Sequence, residues 1–159
     1  MDADLDAAAT DARAHRAPPV TAPLGLALHR LARRHRAHLA NLLAAHGVHA
    51  GQDVLLCEVW EEPGLRQAAL ANRLGVEAAT ITRMVQRLER GGLVERRADP
   101  HDGRVSRIHP TPRSRLLEAG VRRAWVQLEE AMISRLGPDA DRLRELAERA
   151  TEALEALEE

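Results

Sequence analysis

The chain has 159 residues, a formal net charge of −1, and 45% hydrophobic and 30% charged residues, a composition typical of one globular domain rather than a disordered chain. No run of about 18 apolar residues occurs and the acidic start lacks an apolar signal region, so we expect no transmembrane helix, no membrane partner and a cytoplasmic location. The single cysteine, Cys57, excludes an internal disulfide and fits a reducing compartment.

The basic residues are unevenly distributed along the chain. All 23 are arginine, and residues 66–115 hold 11 of them against five acidic residues, a net charge of +6. The segments on either side are acidic, with −2 over residues 1–65 and −5 over residues 116–159. A local basic patch is typical of a phosphate-binding surface, but an arginine-rich face that is simply solvated has the same signature. Charge alone therefore leaves both interpretations open.

The pattern of apolar and turn residues predicts a mainly α fold with a small β wing. Residues 1–22 form a predicted tail that ends in a proline-rich linker, and residues 23–159 form a single domain. Helical periodicity predicts helices over about 23–46, 51–62, 66–74 and 77–90, and again over about 112–158 with a break at Gly137-Pro138. Between them, alternating residues over about 93–97 and 105–109 flank a turn over 99–103, which predicts a β-hairpin ended by Pro110 and Pro112.

The first and last helices carry more apolar surface than one small domain needs to bury. Leucines recur at three- and four-residue spacing over about 23–46 and over about 112–158. We interpret these segments as a helical dimerisation layer and predict a homodimer. Packing of the same stripes within one chain is the alternative.

The segment between these helices has the spacing of a helix-turn-helix. Two helices that cross closely need a small residue at the contact, a turn residue that tolerates positive φ, and a branched apolar residue on the second helix. Ala71, Gly75 and Ile81 meet these demands in order. Because the predicted hairpin follows at once, the part over about 50–110 is predicted to be a winged helix-turn-helix.

The second helix of this pair presents two different faces at 100° per residue. Ile81, Met84, Val85 and Leu88 cluster on the core side. On the opposite side, Arg83 can bond guanine, Gln86 can bond adenine, and the Ala79 methyl can contact a thymine methyl. Phosphate contacts are predicted for the flanking polar residues, which are Thr80, Thr82, Arg87 and Arg90. An ordinary solvated helix face is the alternative.

The predicted hairpin carries arginines at its tip and along both strands. Arg104 at the tip is predicted to enter a minor groove, with Asp102 steadying the loop or orienting that side chain. Arg107 on the returning strand is also predicted to contact DNA. Arg96 and Arg97 on the outgoing strand are predicted to contact phosphates.

Residues 51–117 resemble the MarR (multiple antibiotic resistance regulator) family of winged helix-turn-helix transcription factors. The resemblance rests on residues 67–76, 80–85, 88–96, 99–104 and 111–116. It implies a homodimer with interlocked terminal helices, two winged domains that read a palindrome in double-stranded DNA, and a small-molecule effector bound between the helical layer and the DNA-reading part. The chain departs from the family pattern at Arg66, where a Ser or Thr N-cap is usual, and at Pro110, where an apolar residue is usual.

Other chemistry finds little support in the sequence. Cys57 lies in a predicted helix among apolar residues, which is typical of an inert thiol rather than a redox sensor. The spaced pairs His35/His38 and His46/His49 lack a recognised metal-ligand pattern, although His35 and His46 are placed to line an interface or a ligand pocket. With no nucleophile elbow or phosphate loop, we expect no catalytic site, no metal and no cofactor.

The predicted function is therefore a sequence-specific, DNA-binding transcriptional regulator, a ligand-responsive repressor that binds a palindromic operator as a homodimer. The alternative is a winged-helix adaptor that binds proteins and not DNA.

Overall fold

The computed structural model describes residues 22–157, which form six helices and three short strands. These are α1 Pro23–Ala44, α2 Gln52–Glu61, β1 Leu65–Arg66, α3 Gln67–Leu74, α4 Ala78–Arg90, β2 Val94–Ala98, β3 Ser106–Pro110, α5 Pro112–Leu136 and α6 Asp139–Glu155. The predicted mainly α fold with a β wing is confirmed. Within the described residues, none of the helices combines the length and apolarity needed to cross a membrane.

The described part of the chain separates into two compact units, with the division between residues 33 and 34. In the first unit only residues 22–33 are described, so the predicted tail over residues 1–22 lies outside the described residues except for Ala22. The N–H of Leu26 donates to the carbonyl of Ala22 at 3.0 Å in the first turn of α1. Of the four leucines between residues 22 and 33, Leu24, Leu28 and Leu31 are exposed and Leu26 is half-buried.

The core of the second unit is built almost entirely from aliphatic side chains. The residues with fully buried side chains are Leu43, Val48, Leu55, Leu56, Val59, Leu70, Ile81, Val85, Leu88, Val94, Ile108 and Val121. They come from every helix between α1 and α5 and from two strands, so one continuous core holds the helix-turn-helix, the sheet and α5 together. Burial of each such side chain stabilises the fold by about 1.5–3 kcal/mol.

Polar contacts fix the start of α5 against α2. The hydroxyl of Thr111 accepts a hydrogen bond from the N–H of Ser114 at 3.2 Å and so caps α5, whose first residue is Pro112. The indole N–H of Trp60 donates to the buried Ser114 hydroxyl at 3.3 Å, and the guanidinium of Arg115 donates to the Trp60 carbonyl at 3.0 Å. The helix that leaves the hairpin is therefore anchored at its first turn.

Further along α5, a glycine allows a close approach to the segment that follows α1. The ring of His46 lies so near Gly120 that a Cβ on Gly120 would be 2.5 Å from one ring carbon. Since real Cβ atoms essentially never show such a contact, the missing side chain is what lets the imidazole pack against α5.

The hairpin belongs to a three-stranded antiparallel sheet in the order β1-β3-β2. The sequence predicted only the two hairpin strands and a helix from about residue 66, so β1 corrects that prediction. Leu65 pairs with Ile108 and Arg66 with Arg107, and the N–H of Gly64 donates to the carbonyl of Ile108 at 2.8 Å. This strand arises from a partner more than 40 residues away, which local periodicity cannot reveal.

Pro110 ends the sheet in the way the sequence predicted. It is the last residue of β3 and lies opposite Val94. Because proline has no N–H, the next ladder bond is made by Thr111, whose N–H donates to the carbonyl of Leu93 at 3.2 Å.

Candidate nucleic-acid interface

The helix-turn-helix has the local geometry that its sequence predicted. Ala71 is buried where α3 meets α4, and Ile81 is completely buried on the facing side of α4. Gly75 ends α3 in the left-handed region with φ of 59°, which a residue with a Cβ adopts only under strain. The N–H of Val76 donates to the carbonyl of Ala71 at 3.1 Å and closes the turn.

The outer face of α4 is exposed along its whole length. Ile81, Val85 and Leu88 are buried on the inner face, while the predicted DNA-contacting residues Ala79, Thr80, Arg83, Gln86, Arg87 and Arg90 are all exposed. The guanidinium groups of Arg83 and Arg87 make no hydrogen bond or ion pair within the described range 22–157. The structure thus places the predicted base-reading residues together on one side, with two guanidinium groups available to a ligand.

Two of the predicted phosphate-contacting side chains are engaged within the helix pair. The hydroxyl of Thr82, which is half-buried, lies 2.9 Å from the carbonyl of Ala78 and 3.2 Å from Oε1 of Gln67 at the start of α3. The guanidinium of Arg90 donates to the carbonyl of Gln86 at 3.3 Å but remains exposed. Thr82 therefore connects α4 to α3, while Arg90 can still turn toward a phosphate.

At the hairpin tip, Arg104 is exposed and its loop is ordered by the aspartate two residues earlier. Oδ1 of Asp102 accepts a hydrogen bond from the backbone N–H of Arg104 at 3.0 Å. The carbonyl of the same aspartate accepts from the N–H of Val105 at 2.9 Å. Of the two sequence-based roles for Asp102, the structure shows the one that steadies the loop.

Arg107, which was predicted to contact DNA, is hydrogen-bonded within the protein in this structure. Its guanidinium donates to Oδ2 of Asp99 at 2.6 Å and to the carbonyl of Gly64 at 2.9 Å, so it ties β3 to the wing loop and to the residue before β1. Arg96 is also paired, because its Nε donates to Glu89 on α4 at 3.1 Å. Arg97 forms an ion pair with Glu95 on its own strand.

Asp99 is the residue that sequence reasoning missed. It is one of the few buried carboxylates, and the N–H of His101, followed by the guanidinium of Arg107, holds its pKa at about 2. Asp99 is therefore ionised at every physiological pH and its contacts with arginine persist. The turn-rich sequence around it predicted a loop but gave no sign that the side chain would be enclosed.

A cavity of about 330 Å³ lies behind the C-terminal end of α4. It is lined by His46, Gly47, His49, Gln52, Arg87, Gly91, Leu93, Arg113 and Leu117, with no acidic residue among them. Arg113 from the first turn of α5 also donates to the carbonyl of Gly91 at 3.0 Å. His46, which was predicted to line an interface or a ligand pocket, lines this cavity, and two guanidinium groups face the same space as two imidazoles.

Among the described residues, the other side chains capable of reaction do not come together as a reactive site. His35 packs at 5.7 Å between ring centroids against Trp125 and lines a groove of about 320 Å³ with residues of α5 and α6. Burial raises the pKa of the Cys57 thiol, which keeps it protonated at neutral pH and unreactive. Within residues 22–157 no three histidine, cysteine or acidic side chains come together as metal ligands.

Comparison with known proteins supports the resemblance seen in the sequence. The family model described as the MarR family matches residues 49–106, the segment from the loop before α2 to the first residue of β3. This central segment is therefore similar to the MarR family.

Individual solved structures extend the likeness to most of the chain. A crystal structure of a proposed transcriptional regulator from Pseudomonas aeruginosa is 29% identical, with a TM-score of 0.72 over 79% of this chain and 95% of that one. The transcriptional repressor CouR, solved on a 23-mer DNA duplex, is 26% identical, with a TM-score of 0.70 over 82% of this chain and 92% of its own.

Among curated proteins, a proposed regulatory protein for the hcr operon of Thauera aromatica is 32% identical over 101 residues. That alignment covers 64% of this chain and 60% of the relative. The chain spans between 40% and 60% of the length of the curated relatives it matches.

Proposed function

We propose that this chain is a sequence-specific transcriptional regulator that places α4 in a major groove of double-stranded DNA and the Arg104 wing in the adjacent minor groove. The observation that supports this proposal most strongly is the outer face of α4, where Arg83 and Gln86 are exposed and the Arg83 guanidinium has no partner within residues 22–157. On the inner face Ile81, Val85 and Leu88 are buried. A guanidinium and a carboxamide at such positions match the donor and acceptor pattern of guanine and adenine edges.

A homodimer is the form in which the regulator would act. The helices after the wing leave large apolar side chains in water, among them Val126, Ile133 and Leu146, with Leu154 and Leu157 60% and 80% exposed. Contact of this apolar surface with water is unfavourable, and a second copy of the chain that covers these residues would remove this free-energy cost. A two-fold pair of winged domains then reads a palindrome with half-sites about 34 Å apart, because the symmetry of protein and operator must match.

Repression follows from occupancy, since a dimer on its operator excludes polymerase from the promoter. CouR, which is described as a repressor, supports this direction of regulation. In this proposal residues 23–159 act as a single domain, with about 23–46 and 112–158 as the dimerisation layer and about 50–110 as the DNA-reading part.

Selection from a random duplex library tests DNA binding and symmetry together. The purified chain should enrich one palindrome, and the molar mass of the complex should correspond to two chains on one duplex. If no sequence is enriched at low salt, or if a single chain suffices on an asymmetric site, the proposal fails.

The regulator is proposed to respond to a small organic anion in the cavity behind α4. Arg87 and Arg113 supply positive charge, Leu93 and Leu117 supply an apolar wall, and a volume of about 330 Å³ suits a small ring-bearing carboxylate. Arg87 belongs to α4, which is proposed to contact the bases, and Arg113 belongs to α5 in the proposed dimerisation layer. An anion bound between the two arginines would therefore couple these two parts of the protein. It would favour a dimer with a different separation of the two α4 helices.

Calorimetry with benzoate and its neutral isostere benzamide tests this site. Benzoate should bind and benzamide should not, and Arg113→Gln should weaken benzoate binding by about 1.5–3 kcal/mol through loss of a charged hydrogen bond. Arg123→Gln on the exposed face of the same helix is the matched control. Equal binding of both compounds, or equal effects of the two substitutions, would remove the cavity as an anion site.

A further inference from the structure

The carboxylate of Asp99 divides its two oxygens between different parts of the winged domain. Its side chain is only 2% exposed. Oδ1 accepts from the backbone N–H groups of His101 and Asp102, at 2.8 and 3.3 Å, and so holds the loop that leads to the wing tip. Oδ2 accepts from Arg107 at 2.6 Å and lies 3.6 Å from the guanidinium of Arg66.

These contacts reach three elements that are separate in sequence. Arg107 lies on β3, and Arg66 occupies the N-cap of α3, where it provides no side-chain cap to the helix. Arg66 stands where a capping serine or threonine is usual, and its side chain extends toward the wing instead. Asp99 thus connects the wing loop to the first helix of the helix-turn-helix through one enclosed charge.

The backbone of the wing loop is fixed by the same residue. The N–H of Asp99 donates to the carbonyl of Val105 at 2.8 Å, which closes the loop on itself. The exposed side chain of Arg104 then projects from an ordered tip. A buried charge with arginine partners contributes little net stability compared with apolar packing, so this arrangement calls for a role beyond holding the fold.

We propose that Asp99 is a positioning residue that, through Arg66 and Arg107, sets the direction in which the wing presents Arg104 to the minor groove. The inference rests on the proposed DNA-binding function. A side chain that enters a groove about 6 Å wide must be aimed closely, and the helix-turn-helix is the frame against which it has to be aimed. The base preference of the protein at the minor groove that Arg104 enters therefore depends on a residue that does not contact the DNA.

The substitution Asp99→Asn separates the contacts of Oδ1 with the wing loop from the contacts of Oδ2 with the two arginines. The retained carbonyl oxygen can still accept from His101 and Asp102, but the new amide group presents donors to Arg107 and Arg66, which are themselves donors. The loop contacts survive while the link to α3 and β3 is lost. On the selected duplex, Asp99→Asn should weaken binding about tenfold, within the coupling range for residues in one network.

A double-mutant cycle with Arg104→Ala tests whether Asp99 acts through the wing arginine. In the Arg104→Ala background, Asp99→Asn should change affinity by less than about twofold, because there is no longer a guanidinium to aim. At the base pairs contacted by the wing, Asp99→Asn should also reduce the preference for A·T over G·C. At the base pairs contacted by α4, it should leave the base preference intact. A general loss of folding would lower both preferences equally.

Glu61→Gln is the control, since the carboxylate of Glu61 on α2 pairs with Arg122 on α5, neither of which is a predicted DNA contact, and the substitution should leave affinity unchanged. If Asp99→Asn proves unstable, the cycle is repeated with Arg66→Ala, whose side chain is 56% exposed. An equal loss in both backgrounds would overturn the proposal. Failure of the unaltered chain to bind any duplex would instead overturn the proposed function.

Discussion

Arg83→Ala should cost the chain about 1–3 kcal/mol of binding free energy on its preferred duplex and relax its base preference at one position. The guanidinium of Arg83 is exposed at the centre of α4 and is unpaired within the described part of the chain, so its removal leaves the fold intact and deletes only a bidentate contact with a base. Affinities for a duplex series with all four bases at each position measure the effect, and the lost discrimination should be confined to one base pair in each half-site.

Arg87 provides the contrast on the same helix. It is equally exposed but lies one turn further toward the C-terminal end of α4, where a phosphate contact is expected. Arg87→Ala should weaken binding to all duplexes alike and reduce the slope of log affinity against log salt by about one. If both substitutions left DNA binding unchanged while the chain still bound a protein partner, the winged fold would serve as an adaptor.

Ile81→Ala should destabilise the chain by about 2–5 kcal/mol, the largest stability change that we expect from a single substitution in the helix-turn-helix. Ile81 is completely buried between α3 and the core, so truncation removes apolar contacts and leaves a cavity that neighbouring helices cannot fill. Denaturant unfolding followed by circular dichroism measures the free energy of unfolding.

Leu116→Ala is the matched control for this loss. Leu116 lies on α5 with 84% of its surface exposed, so its truncation should change the free energy of unfolding of the isolated chain by less than about 0.5 kcal/mol. A large loss for Leu116→Ala in the dimer, and not in the dissociated chain, would place that residue in the subunit interface. A negligible loss for Ile81→Ala would contradict the packing of α3 against α4.

The parts of this molecule that depend on local pattern could be predicted from the sequence. The spacing of Ala71, Gly75 and Ile81 predicted the helix pair and its turn, because each position imposes a local steric demand. The division of α4 into a buried and an exposed face followed from helical periodicity. The predicted helix boundaries differ from those of the structure by one or two residues for most elements, which is the range over which helix ends are ambiguous.

The contacts that depend on distant pairing could not be predicted. The strand β1 has only two residues and exists because β3 lies beside it. Arg107 was predicted to contact DNA from its place on the returning strand, and nothing local shows that Gly64 and Asp99 also accept its hydrogen bonds. Arg66 was noted as a departure from the family pattern, but its reach to Asp99 required the fold.

The close approach of His46 to Gly120 has a consequence for how this sequence can diverge. A methyl group on Gly120 would overlap the imidazole, so the two positions must covary: a relative with alanine at the first requires a smaller or displaced side chain at the second. Because His46 also lines the cavity behind α4, such a paired exchange would remodel that cavity at the same time. Homologues with different residues at positions 46 and 120 should therefore differ in the effector that they prefer, even when their α4 helices are identical.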